Sequence, residues 1–147
     1  AGATLLEQLK TMLLVLPPIF LLLGLLDVWV PRETLMKHMG PASGIKGAVI
    51  AFVLGSVAAG PLYGAFPIAA VLMKKGASFW NILIFIGAWS TTKIPMFLFE
   101  LNALGAGFAV GRLAIDIPGI IIIALAVQAI TPKKEIERLY AAAESMD

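Results

Sequence analysis

A 30-residue apolar block, residues 44–73, carries Gly60, Pro61, Gly64 and Pro67 within eight positions. At about 1.5 Å per residue an unbroken helix of that length would measure about 45 Å, against a hydrocarbon core about 30 Å thick. It must tilt strongly, extend beyond the core or break. Proline removes a backbone donor and clashes with the preceding turn, and glycine resists helix formation by entropy. A break is therefore expected at 60–67. The second half should start near Phe66-Pro67 and end at Lys74-Lys75-Gly76. In lipid the freed backbone groups find no water, so a break survives only inside protein or beside a cavity.

The rest of the 147-residue chain fits that setting. Hydrophobic residues make up 60% and charged residues 14%, where a soluble domain carries about 45–50% and about 25%. Three more apolar blocks, 5–26, 79–101 and 106–130, reach the length of about 20 residues that a span needs. The reading is an all-α integral membrane protein, multi-pass, with four hydrophobic blocks giving four to five membrane-crossing pieces. A single transmembrane domain over 1–147 leaves no room for a separate soluble one. No cleavable signal peptide is expected, because the first block follows Glu7 and Lys10 and runs straight into a span.

Between the blocks the sequence is punctuated. Pro17-Pro18 should kink the first block, and Trp29 suits the membrane interface. Residues 32–39 read as a short interfacial helix opened by Pro31 and closed by Gly40-Pro41, with Leu35, Met36 and Met39 able to face lipid. Ser78 is a plausible N-cap for the third block. Gly105-Ala106-Gly107 reads as a turn, and residues 133–145 as an amphipathic helix striped by Ile136, Leu139 and Tyr140, outside the membrane or along its surface. Gly44, Gly47, Ala48, Ala51, Gly55 and Ala59 recur at helical spacing, which favours close helix packing within or between subunits. With four spans, Lys10, Lys74, Lys75, Lys133, Lys134 and Arg138 share one side, and Arg32, Lys37, Lys46 and Arg112 the other. The positive-inside rule then places both termini in the cytoplasm.

Several function classes drop out. A net charge of +2 with cations at block ends does not suggest nucleic acid. The absence of Cys removes disulfides and thiolate chemistry, one His cannot make a metal site unaided, and no nucleophile–base set or phosphate loop is visible, so neither an enzyme nor a cofactor is expected.

Residues 63–78, Tyr-Gly-Ala-Phe-Pro-Ile-Ala-Ala-Val-Leu-Met-Lys-Lys-Gly-Ala-Ser, resemble the signature of the predicted-permease family that includes YraQ-type proteins and the organoarsenical efflux permease. Ser90 to Pro95 is similar to the polar, Pro-containing middle of that family's next helix, and Val30-Pro31-Arg32-Glu33-Thr34-Leu35 to its interfacial segment. The resemblance covers about Leu13 to Ala114 and implies transport across a prokaryotic inner membrane. Family members usually carry two such halves, so this single half implies a homodimer. Many place Cys near the signature proline, where Tyr63 and Ala65 stand here, which speaks against a thiol-dependent arsenical or metal substrate.

The candidate pathway follows from both readings. A break at Gly60, Pro61, Gly64 and Pro67 would expose half-helix N–H groups to an anionic or polar ligand, or be a packing kink. Tyr63 would supply a hydroxyl or fill the gap beside the glycines. Lys93, deep in the third block, costs about 2.5–3.5 kcal/mol on insertion scales unless a carboxylate, carbonyls or water offset it, or it snorkels outward. Ser90, Thr91 and Thr92 can bind ligand or relieve backbone opened by Pro95. Glu100 lies about 10 Å along the helix from Lys93 and should find a partner elsewhere, or sit at the interface near Asn102. Arg112 and Asp116, four apart, can pair. The expected function is a permease for a small polar or anionic solute; the alternatives are a non-transporting scaffold or assembly subunit and a passive channel. A parallel dimer suits four crossings, an antiparallel one five.

Overall fold

The computed structural model describes residues 31–58 and 60–145, with the isolated positions 7, 10, 13, 14, 17, 18, 21, 25, 28 and 29. The first hydrophobic block, with its expected span and kink, and Ala59 of the small-residue series lie outside the described residues as a unit. Among the described residues the fold is helical, without strands: α1 Arg32–Met39, α2 Gly44–Val57, α3 Ala65–Lys74, α4 Phe79–Thr91, α5 Ile94–Ala103, α6 Ala106–Ile130 and α7 Lys133–Glu144.

The expected short helix forms as α1, with Pro31 before it and Gly40 extended after it. Its apolar side does not all face lipid. Leu35 and Met39 are buried in the protein core, and only Met36 stays exposed. The reason is a polar clamp: the Asn81 side chain donates to the Met39 carbonyl at 2.7 Å and to Ser43 Oγ at 3.1 Å, drawing the end of α1 onto the start of α4.

Gly47, Ala51 and Gly55 of α2 are buried against α4. A Cβ on Gly55 would sit 2.4 Å from the Phe85 carbonyl oxygen, so glycine there sets how closely the two helices approach. The small-residue face thus serves packing inside one subunit.

α2 and α4 run parallel. Their starts meet where Ser78 N donates to the Met39 carbonyl at 2.8 Å, and their ends meet where the Ser56 and Thr92 hydroxyls lie 2.9 Å apart. The chain between them must return to where it began, so α3 runs back and the second block is a helical hairpin. Its turn holds Gly60 at φ +130°, a conformation L side chains rarely adopt, then Pro61 and a 3₁₀ turn at Leu62–Gly64. Pro67 does not interrupt a helix. It occupies the first turn of α3, where its missing N–H costs no intrahelical bond. α2 has 14 residues and α3 has 10, about 21 and 15 Å, each short of the core thickness.

α4 and α5 form a 25-residue stretch, Phe79–Ala103, and α6 another; both are long and apolar enough to cross a membrane. The stretch from α1 through α2, bent by 43°, makes a third if it counts as one span. The described residues thus hold two or three candidate crossings, and the one expected from the first block lies outside them. α6 is antiparallel to α4: a Cβ on Gly87 would meet Ile120 Cγ2 at 2.8 Å, while Arg112 reaches Thr91. Gly105, at φ +87°, makes the turn between α5 and α6.

The hairpin changes the expected charge layout. Arg32, Lys37 and Lys46 share one end of the bundle with Lys74, Lys75, Lys133, Lys134 and Arg138, rather than facing them across the membrane. The α5–α6 end, residues 101–111, carries no charge. α7 packs on α3 at the cationic end, where Tyr140 donates its hydroxyl to the Ala77 carbonyl at 2.5 Å and Ala143 is buried.

Candidate functional site

Two helix breaks meet inside the bundle. The first lies between α2 and α3. The second lies at Thr92-Lys93, between α4 and α5, where the sequence had suggested one helix with a polar interior. Pro95 accounts for it. It stands at the second position of α5, has no N–H to give the Thr91 carbonyl four residues back, and its ring crowds that carbonyl. Lys93 takes an extended conformation, φ −59° and ψ 129°, and its carbonyl accepts from Phe97 N at 2.9 Å. It lies about 15 Å along the helix from Ala103, well inside the span.

The breaks are tied to each other. Lys93 Nζ donates to the Gly60 carbonyl oxygen. Trp89 Nε1 donates to the neighbouring Pro61 carbonyl at 3.2 Å. The buried Ser56 and Thr92 hydroxyls join α2 to α4 just beside them. Carbonyls in the first break are thus bonded by side chains from the other broken helix, as a low-dielectric setting demands. The Gly60 carbonyl is what holds the Lys93 ammonium, and Glu100 pairs with Arg112 instead.

Glu100 belongs to a second cluster on the α5–α6 side. It is buried, and its Oε2 lies 3.0 Å from Arg112 Nε. Asp116 Oδ2 lies 3.6 Å from the same nitrogen. Both carboxylate oxygens are sealed from solvent and meet the guanidinium as ion pairs, without aligned hydrogen bonds. Arg112 Nη2 donates to the Thr91 carbonyl at 2.6 Å. Glu100 is thus buried against Arg112, while Asn102 bonds its own helix at Leu98.

The other expected residues divide. Ser90 and Thr91 both donate to the Gly87 carbonyl, at 2.8 and 2.9 Å, and Thr92 to the Ala88 carbonyl at 3.1 Å, so all three hydroxyls bond their own helix, and none meets the Thr91 carbonyl that Pro95 opens. Gly64 is buried, Pro61 and Pro67 are half-buried, and Pro95 is exposed. Tyr63 is exposed at the hairpin tip. A small apolar cavity of about 240 Å³ reaches Ser56 and Thr92 between Phe52, Ile94, Phe97 and Leu113. A larger one, about 1220 Å³, lies at the cationic end, away from the breaks.

A family described as "Predicted permease" matches residues 3–146. The chain belongs to the predicted-permease family. No curated protein and no solved structure matches it. The family and the apolar helices together make it a membrane protein of the transport class.

In this permease, sequence reasoning missed Ser56 and Trp89. Each carried a weak signal: a hydroxyl one residue before the end of an apolar helix, and an indole N–H too deep for an interface anchor. Helical spacing in the sequence offers Arg112 only Asp116 as a partner; its contacts with Glu100 and Thr91 depend on how α5 turns back onto α6.

Proposed function

We propose that this permease carries a small polar or anionic solute through the crossing of its two broken helices. The observation that carries this reading is the bond from Lys93 to the Gly60 carbonyl, which holds a cation where two half-helices begin. An ammonium has three donors, and one is used by Gly60. The starts of α3 and α5 add partial positive charge at the same place. Both features favour an anion, and broken helices near the midplane are where carriers bind substrate. The family supports a transporter rather than an enzyme.

The working unit in this reading is a homodimer. The hairpin tip, residues 60–64, departs from α-helix and leaves Leu62 and Tyr63 exposed, and this reading sets it at membrane depth. Lipid cannot satisfy such backbone, so protein or water must cover it. A second copy supplies that cover and lines the solute path. The cationic end faces the cytoplasm of a prokaryotic inner membrane by the positive-inside rule.

Thermal unfolding of the purified protein against a panel of oxyanions and small organic acids tests this. A ligand at about 100 times its Kd should stabilise by about 2.7 kcal/mol, and Lys93→Met should abolish the shift. A scaffold protein would respond to none of the panel. A passive channel would pass the ligand in liposomes without saturation.

A further inference from the structure

The cavity of about 1220 Å³ is a groove rather than a chamber. α2 and α6 form its walls through Ile45, Val49, Ile121 and Leu125, and α4 its floor through Trp80 and Ile84. Along α6 it runs from Ile117 to Gln128, about 16 Å at 1.5 Å per residue. That is close to half of a core about 30 Å thick, the depth of one leaflet. Its lining carries no charge, and three exposed cations lie next to it along the chain: Lys37 follows the lining residue Met36, Lys46 follows Ile45, and Lys133 starts the helix that supplies Ile136. Across the cationic end of the bundle the described residues place eight cations against the carboxylates of Glu33, Glu135, Glu137 and Glu144. Near the same end Asn81 lines the groove. It is 1% exposed, its amide nitrogen is engaged, and its Oδ1 has no partner.

We propose that this groove binds one anionic phospholipid of the cytoplasmic leaflet. Its acyl chains lie along α2, α4 and α6, and its phosphate sits on Lys37, Lys46 and Lys133. An apolar slot one leaflet deep beneath a cationic rim matches an amphiphile in both length and charge. A soluble anion would have no use for the apolar depth, and a neutral lipid none for the rim. Juxtamembrane cations recognise anionic headgroups in this way. The site stands apart from the Gly60–Lys93 crossing and does not depend on the transport reading.

Trp80 reports occupancy directly. The full chain in detergent is titrated with tail-brominated phosphatidylglycerol or phosphatidylcholine, and the quenching lost in Trp80→Phe is taken as the groove signal. Phosphatidylglycerol should quench at lower concentration. Lys46→Gln and Lys133→Gln should each weaken that preference roughly fivefold. Ala48→Phe, which fills the groove without changing charge, should remove the signal while retaining helical circular dichroism and a monodisperse elution profile. Equal quenching by both lipids overturns the proposal. So does a phosphatidylglycerol preference that survives Ala48→Phe, since the lipid would then sit on the rim alone.

Discussion

Arg112 donates to the Thr91 carbonyl at 2.6 Å, and that oxygen is the one Pro95 leaves without a helical partner. The relationship joins a proline in one helix to an arginine in the next. It explains why Arg112 lies deep beside Glu100 instead of reaching for the surface. Removing the guanidinium leaves a buried carboxylate and a carbonyl uncompensated at once. Arg112→Gln should destabilise the protein by about 3–5 kcal/mol, measured by denaturant titration in micelles. Pro95→Ala restores a donor four residues after Thr91, so the double variant should lose less than the sum of the two. A coupling of about 0.5–3 kcal/mol is expected from such a cycle, and strict additivity would contradict the assignment.

The α2–α4 contact sets the second prediction. A methyl group at Gly55 points at the Phe85 backbone, which cannot swing aside as a side chain does. Gly55→Ala should cost about 1–3 kcal/mol and lengthen the Ser56–Thr92 contact. Gly107→Ala, where a Cβ meets nothing, serves as control and should be neutral or stabilising. The same unfolding assay checks both.

Much of this fold was legible. Pro31 and Gly40-Pro41 bounded α1, Ser78 capped α4 by accepting from Asn81 N at 3.3 Å, and the glycine–proline cluster located the first break. The second break was harder to see because Pro95 acts on the turn before it, so the helix ends at Thr91 rather than at the proline. The direction of α3 was not readable at all: apolar length cannot tell a return from a crossing, and only the pairing of Ser78 with Met39 decides it. Leu35 and Met39 were misplaced for a related reason, since Asn81 lies 42 positions from Met39. At the crossing itself, Lys93 and the proline cluster stood out in the sequence, but their meeting did not.

Topology follows from α3. The helical hairpin puts Lys46, Lys74 and Lys133 at one end of the bundle and Leu104 at the other. Single cysteines can be introduced freely because the chain has none. With an impermeant thiol reagent on sealed vesicles, Lys46→Cys, Lys74→Cys and Lys133→Cys should all react from one side and Leu104→Cys from the opposite side. A four-span layout would separate Lys46 from Lys74.

The docking of α7 has a pH signature. Burial pushes the Tyr140 phenol from 10.0 up to about 12, so the folded state holds this proton more tightly than the unfolded chain. Its stabilising contribution is full below about pH 10 and is lost as pH rises through about 12. In a Tyr63→Phe background, where Tyr140 is the remaining tyrosine, phenolate absorbance should appear near pH 12. Tyr140→Phe should cost about 0.5–1.5 kcal/mol through loss of the bond to Ala77.

Water access at Lys93 tests the transport reading most directly. In Lys93→Cys, a small water-soluble thiol reagent should modify the residue in the membrane, and a bound anion from the panel should slow that reaction. Lys93→Cys that stays unreactive in membranes while reacting readily after unfolding would contradict a solute path at the crossing of the two breaks.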